Sequence, residues 1–214
     1  PAFLPGSLFV LAFALQPLSA QDRQQEELLV RVNSVDFDDT DFNGFAEDDW
    51  VRMEVELELI AQNPDPNAPN PNWVQKVEIR PSVAYQRENA PEGQPPYVAF
   101  ESTAMLAGLE RGDPKSVYFY IPFEVFQIYE LGRDEPFAYL IEVSVDGQEM
   151  PINNANREAF FVQGRQANFE TLQSYRNNVL TLASQTEGFL QPQYHLPYER
   201  DQREGPSFLR QPEE

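Results

Sequence analysis

The residues from Trp50 to Leu59, in order Trp-Val-Arg-Met-Glu-Val-Glu-Leu-Glu-Leu, decide the fold class of this protein. Apolar side chains stand at every second position from Val51 onward, and one arginine and three glutamates stand between them. Successive side chains of a β-strand point to opposite faces of the sheet. The pattern therefore predicts a strand with one buried apolar face and one charged outer face.

The same alternation recurs along most of the chain. It is found in residues 28–32, 77–85, 98–100, 117–121, 137–145 and 158–162. Proline-rich turns at 63–72 and 90–96, and the pair Asp146-Gly147, which suits a tight hairpin, separate these runs. Short strands with no helix between them predict an all-β fold, an immunoglobulin-like antiparallel β-sandwich over residues 21–166.

The periodicity changes after Gly164. Apolar residues then recur at intervals of three and four, namely Phe169, Leu172, Tyr175, Val179 and Leu182. This spacing predicts an amphipathic helix over residues 167–188, which packs either on the sandwich or on a partner. Residues 189–214 contain prolines and charges in no regular order, and we expect a flexible, disordered tail there.

The first twenty residues have the pattern of an export signal. Residues 8–15 are wholly apolar, Pro17 follows them, and the small residue Ala20 stands where cleavage would occur. This pattern predicts a signal peptide over residues 1–20 and a periplasmic or extracellular location. The apolar run is shorter than the roughly 20 residues that span a bilayer, so we expect no membrane insertion after cleavage.

Charge and composition exclude several classes of function. The net charge of −20 falls entirely on the residues after Ala20. It argues against binding to nucleic acid, which needs a basic face, and fits an exported domain, a calcium binder or a partner of basic surfaces. With no cysteine and His195 as the single histidine, thiol catalysis and histidine-rich zinc sites are excluded.

An acidic segment, residues 39–49, has the spacing of a calcium loop. Calcium takes six to eight oxygen ligands, and alternate residues around a tight glycine bend can supply them together. The ligands would be Asp39, Asp41, Asn43, the carbonyl of Phe45, and Glu47. Trp50 stands where an EF-hand places its last glutamate, so the segment is not an EF-hand. The alternative is an acidic turn in which Asp and Asn side chains cap their own backbone.

Tyrosines and glutamates raise two further possibilities. Tyr118 and Tyr120 are predicted to share the outer face of their strand. An exposed aromatic row there would suit a carbohydrate-binding or adhesion module, whereas a row covered by the predicted helix would be structural. Glu54, Glu56 and Glu58 alternate with apolar residues, which places them on a solvated strand face rather than in a catalytic pair. We therefore predict that the protein is not an enzyme.

The order of export signal, cysteine-free sandwich, helix and tail resembles one group of proteins. The sandwich ends in Phe-Ala-Tyr-Leu-Ile-Glu-Val-Ser-Val-Asp-Gly at residues 137–147. In this organisation the chain resembles small exported immunoglobulin-like proteins encoded beside type IV pilus machinery in bacteria. The resemblance implies a non-catalytic structural or interaction module of the cell envelope, accessory to a pilus or secretion assembly, with a protein partner there. It implies no catalytic residue. Calcium, at residues 39–47, is the one cofactor that the sequence pattern suggests.

The calcium hypothesis makes a direct thermal prediction. If the segment 39–47 binds calcium, saturation to about 100 times the dissociation constant adds about 2.7 kcal/mol of stability. We then expect a higher melting temperature with calcium than with chelator, and no such difference after Asp41→Ala. A melting temperature unaffected by chelator in the unsubstituted chain would favour the acidic turn.

Overall fold

A computed structural model describes residues 28–40, 50–62, 70–90, 92–93, 96–132, 135–164, 168–178, 186, 188–196 and 206–209. In these parts of the chain, strands dominate and all pairings are antiparallel. The strands are β1 Val30–Thr40, β2 Trp50–Leu59, β3 Trp73–Gln86, β4 Tyr97–Glu101, β5 Ala104–Glu110, β6 Lys115–Pro122, β7 Ala138–Val145, β8 Gln148–Glu149, β9 Phe160–Val162 and β10 Gln191–Pro192. The α-helices are α1 Phe123–Tyr129 and α2 Phe169–Asn178, and two 3-10 helices cover Asn154–Ala159 and Gln193–His195. The signal peptide predicted over residues 1–20 lies outside the described residues.

The strands form two sheets that pack as a β-sandwich. Sheet A has the order β1-β2-β6-β10. Sheet B contains β3 in its middle, with β7 on one side and β4 and β5 on the other, and β8 and β9 pair with β7. The all-β, antiparallel part of the sequence-based prediction is confirmed.

Strand β2 confirms the alternation from which the fold was predicted. Its odd-numbered residues are buried, and its even-numbered residues are only partly exposed. The register with β6 places Met53 opposite Phe119 and Val55 opposite Val117. Because paired side chains lie on the same face, the apolar residues of both strands enter one core.

A β-bulge at Asn33 keeps the apolar side chains of β1 inside. The register with β2 shifts between Val32 and Ser34. Before the shift Val32 lies opposite Leu57, and after it Val35 lies opposite Val55. A bulge inserts one extra residue and so changes which positions face inward. Even-numbered residues of β1 therefore face the core before Asn33, and odd-numbered residues face it afterwards.

Strands β4 and β5 lie end to end along the same edge of β3. Glu101 pairs with Ser82 and Ala104 pairs with Ile79, so one register continues through both strands. The interruption lies beside Pro81, whose carbonyl accepts a hydrogen bond from the Ser102 N–H at 3.1 Å. Proline has no N–H to return, which explains the local break in the ladder.

The inner faces of the two sheets form one apolar core. Its largest fully buried members include Met53 and Phe119 from sheet A and Phe100, Ile79 and Leu106 from sheet B. Each such side chain contributes about 1.5–3 kcal/mol by burial. Since the chain has no cysteine, this packing holds the two sheets together without a disulfide.

Helix α2 covers part of the outer face of sheet B. Its Leu172 and Tyr175 are buried against a row of three alanines, Ala138, Ala84 and Ala99, which are direct cross-strand neighbours. Short side chains let a helix approach the sheet closely. The helix lies within the range 167–188 predicted from the sequence, and residues 179–185 and 187 lie outside the described part.

Polar contacts fix the position of α2. The Tyr175 hydroxyl donates to the Ser82 carbonyl at 3.2 Å and lies 3.3 Å from the Ser82 hydroxyl. Arg176 forms an ion pair with Glu142 of β7. These contacts join α2 to two neighbouring strands of sheet B.

Residues 189–214 differ from the predicted disordered tail in the parts that the structure describes. Gln191 and Pro192 pair with β6 as strand β10, and residues 206–209 lie along β5. The prediction was wrong there because packing of a few residues against a sheet edge needs no sequence periodicity. Residues 197–205 and 210–214 lie outside the described part.

Removing the hydroxyl from each of two buried tyrosines should have opposite effects on the free energy of unfolding. Tyr85 is 2% exposed, and its hydroxyl has no hydrogen-bond partner among the described residues. Tyr175 is 3% exposed and bonded to Ser82. We expect Tyr85→Phe to raise the free energy of unfolding by about 1 kcal/mol and Tyr175→Phe to lower it by about 1 kcal/mol, measured by urea denaturation at neutral pH.

Alkaline titration provides the control for these two variants. Burial raises the pKa of both hydroxyls above the usual 10.0, and the Asp39 carboxylate raises that of Tyr85 further. Above pH 10 the unfolded chain loses these protons while the folded chain keeps them, so stability falls by about 1.4 kcal/mol per pH unit for each tyrosine. The free energy of unfolding of each Phe variant should fall less steeply with pH than that of the unsubstituted protein. Equal slopes in all three proteins would contradict the assigned burial.

Candidate interaction surface

The outer face of sheet A is a layer of paired polar side chains. Arg31 bonds Glu58 at 2.6 Å across β1 and β2. Arg52 makes a bidentate contact with Asp38, at 3.0 and 2.8 Å. Exposed pairs of this kind contribute little to stability individually. The glutamates of β2 are part of this layer, as the sequence predicted.

The predicted aromatic row of Tyr118 and Tyr120 is not exposed. Tyr120 is fully buried, because β10 pairs with β6 and the following 3-10 helix lies against the same strand. Tyr118 is partly buried, with the Arg52 guanidinium 5.3 Å from its ring centre. Burial is the main reason that the pKa of Tyr118 is raised. Where the structure describes the exposure of a Phe, Tyr or Trp side chain, that side chain is at least partly buried.

The first half of the β1 edge is closed by a side chain from a distant segment. The buried Asn156, in the 3-10 helix Asn154–Ala159, accepts a hydrogen bond from the Val32 N–H at 2.9 Å. Its amide also donates to the Pro151 carbonyl at 3.2 Å. One asparagine therefore substitutes for a neighbouring strand at this point.

The second half of the β1 edge is differently built. From Val35 to Asp39, β1 pairs with β2 on one side, and no described strand pairs with it on the other. Asp36, Asp38 and Asp39 are exposed along this half. A strand edge with acidic side chains can accept an extended partner segment through its backbone, and its charge selects which segment.

An aromatic column lies beside this edge. Phe37 of β1 lies 5.9 Å from Tyr139 of β7, and Tyr139 stacks on Phe161 of β9 at 5.5 Å. The column joins the edges of the two sheets on one side of the sandwich. Together, residues 35–39 and this column are called the β1–β9 side.

Acidic residues surround the aromatic column. Burial raises the pKa of Tyr139 to about 12, and the carboxylates of Glu158, Asp36 and Glu135 add to that rise. These three residues come from different segments of the chain, so their grouping could not be predicted from the sequence. The β1–β9 side thus combines a partly covered aromatic surface, an acidic rim and a strand with one paired side.

The predicted calcium site falls mostly outside the described residues. Asp39 is the penultimate residue of β1 and pairs with Val51. Asp41, Asn43, Phe45 and Glu47 belong to residues 41–49, which lie outside the described part of the chain. Within the described ranges, no three His, Cys, Asp or Glu side chains are grouped closely enough to hold a metal ion.

One carboxyl group has a perturbed pKa. Partial burial raises the pKa of Glu101, the charge of Glu142 adds to the effect, and Arg80 opposes it. Glu142 is itself paired with Arg176 of α2. This arrangement lies at the border of the α2 contact, where the ion pair positions the helix.

Comparison with solved structures shows a likeness of fold. No protein-family model matches the sequence, and no curated protein does. A crystal structure of a protein from Akkermansia muciniphila superposes with a TM-score of 0.59, over 86% of this chain and 95% of that chain, at 10% identity. Similarity at this level concerns the fold. Within the described residues, no helix is long and apolar enough to span a membrane.

Asn156 offers a test of how the β1 edge is closed. Asn156→Ala leaves the buried Val32 N–H without its acceptor, and we expect the free energy of unfolding to fall by about 1–3 kcal/mol. Asn154→Ala is the matched control, since Asn154 is exposed in the same 3-10 helix. Similar denaturation midpoints for the two variants would show that the hydrogen bond does not stabilise the edge.

Proposed function

We propose that this protein is a non-catalytic interaction module of the bacterial cell envelope, located in the periplasm or outside the cell. The observation that carries the proposal is the β1–β9 side, which leaves half of a long strand paired on one side and surrounds an aromatic column with carboxylates. The sequence pattern of residues 1–20 supports export. The resemblance to proteins encoded beside type IV pilus machinery supports an accessory role in a pilus or secretion assembly.

The proposed fold type is immunoglobulin-like. In such domains strands A, B and E share one sheet, and C, F and G share the other. Here β1, β2 and β6 share sheet A, and β3, β7 and β9 share sheet B. This order supports the proposal, with β4 and β5 remaining beside β3 at the edge of sheet B.

The chemistry of the β1–β9 side favours one kind of partner. An extended segment added to β1 would pair with the backbone of residues 35–39 and cover the partly exposed ring of Phe37. Lysine or arginine side chains on that segment would meet Asp36, Glu135 and Glu158, and could also lie over the aromatic rings. We therefore propose an envelope protein with a basic extended segment as the partner.

A charge-reversal experiment tests the proposal. A photoactivatable cross-linker at Ser34, which faces away from the core just before residues 35–39, should capture one envelope protein from the producing cell. The variant Asp36→Lys/Glu135→Lys should reduce that capture by at least about tenfold, because like charges then oppose docking. The matched control is Glu92→Lys/Glu110→Lys, which changes the net charge equally at exposed sites away from this side.

Two readouts separate the possible results. Removing two carboxylates should lower the pKa of Tyr139, which ultraviolet titration of the purified variant measures. Equal capture by the two double variants would overturn the β1–β9 side as the contact. Recovery of carbohydrate without protein would overturn the proposal as a whole.

A further inference from the structure

The outer edge of β5 is occupied by residues from the other end of the chain. The Ala107 N–H donates to the Ser207 carbonyl at 2.7 Å, and the Leu209 N–H donates to the Met105 carbonyl at 2.8 Å. These two bonds flank the antiparallel pair of Leu106 and Phe208. Residues 206–209 therefore form a short additional strand, called here the C-terminal edge strand.

Side-chain contacts make the β5 edge selective for the residues that bind there. The Phe208 ring packs against the core, 5.2 Å from the ring of Tyr194. The Tyr194 hydroxyl donates to the Thr103 carbonyl at 3.1 Å, at the end of β5 where the edge strand stops. Pro206 is buried, whereas Leu209 is 41% exposed. Backbone pairing combined with a site for one aromatic side chain is the usual form of recognition by strand addition.

The connection to the rest of the chain leaves room for exchange. The preceding described residue is Leu196, and residues 197–205 separate it from Pro206. Ten residue steps can span up to about 35 Å. Among the described residues, two backbone hydrogen bonds and the packing of the Phe208 ring join the edge strand to the domain.

We infer that the C-terminal edge strand is exchangeable between copies, so that residues 206–209 of one chain occupy the β5 edge of a second chain. The exchanged strand makes the same contacts as the original, since both copies have the same sequence. Exchange of an identical element is an accessible route to association for this reason. The inference rests on the β5 edge alone and is independent of the proposed envelope partner.

The absence of cysteine from the sequence allows a clean trapping experiment. Met105 and Leu209 lie opposite each other across the edge, at a separation typical of paired strands, which a disulfide can bridge. Full-length Met105→Cys and full-length Leu209→Cys are mixed under mild oxidation. We expect a mixed-disulfide dimer that joins position 105 of one chain to position 209 of the other.

The controls measure random collision and the role of Phe208. Ile128→Cys mixed with Leu209→Cys uses a residue that is 69% exposed on α1, away from β5. The 105–209 dimer should exceed this control by at least about tenfold, because docking raises the effective concentration of the two thiols. Adding Phe208→Ala to the Leu209→Cys chain should reduce the yield towards the control.

The double variant Met105→Cys/Leu209→Cys tests the pairing within one chain. It should close an internal disulfide, and this shows that the substitutions are compatible with the folded protein. A mixed dimer no more abundant than the Ile128→Cys control would overturn the exchange. Failure to capture an envelope partner through Ser34 would leave this result unaffected.

Discussion

Two open sheets packed face to face leave strand edges on both sides of the sandwich, and the backbone groups of those edges need partners. Several short segments outside the main strands provide these partners. On one side, β10 extends sheet A beyond β6, and residues 206–209 extend sheet B beyond β5. On the other side, Asn156 supplies an acceptor to β1, and the short strand β9 extends sheet B beyond β7. The second half of β1 has no such partner within the described part of the chain, which is why it stands out as a contact surface.

A helix covers part of the outer face of sheet B, whereas polar side chains form the outer face of sheet A. The size of the side chains on the two faces accounts for this difference. Sheet B has alanines at three neighbouring positions of its outer face, Ala138, Ala84 and Ala99, so a helix can lie directly on it. Sheet A has an arginine–glutamate pair and an arginine–aspartate pair at outer positions of β1 and β2, which remain partly hydrated. The sequence of α2 fits this arrangement, because Leu172 and Tyr175 fall on the face that meets the alanines. The polar layer of sheet A thus needs no cover, whereas the apolar surface of sheet B does.

The strands were predictable to the extent that their side chains alternate. Residues 50–59 could be placed from the sequence because alternation reports burial one residue at a time. The bulge at Asn33 was not predicted, since an inserted residue changes the phase without leaving a mark of its own. The two-residue strand β10 has no periodicity to detect, and for that reason the sequence did not show that this segment covers Tyr120. The acidic group around Tyr139 comes from three separate segments, and only the tertiary structure brings Asp36, Glu135 and Glu158 together.

The two sides of the sandwich differ in a way that separates two kinds of association. Two copies approaching through their β1–β9 sides would bring acidic rims together, and the repulsion would oppose pairing of identical chains. No such charge repulsion arises at the β5 edge, because the segment that binds there, residues 206–209, is uncharged. Under the two proposals, a basic segment of another protein binds at the first side, and residues 206–209 of an identical copy bind at the second. One small domain would then bind a different protein through one edge and associate with its own kind through the other.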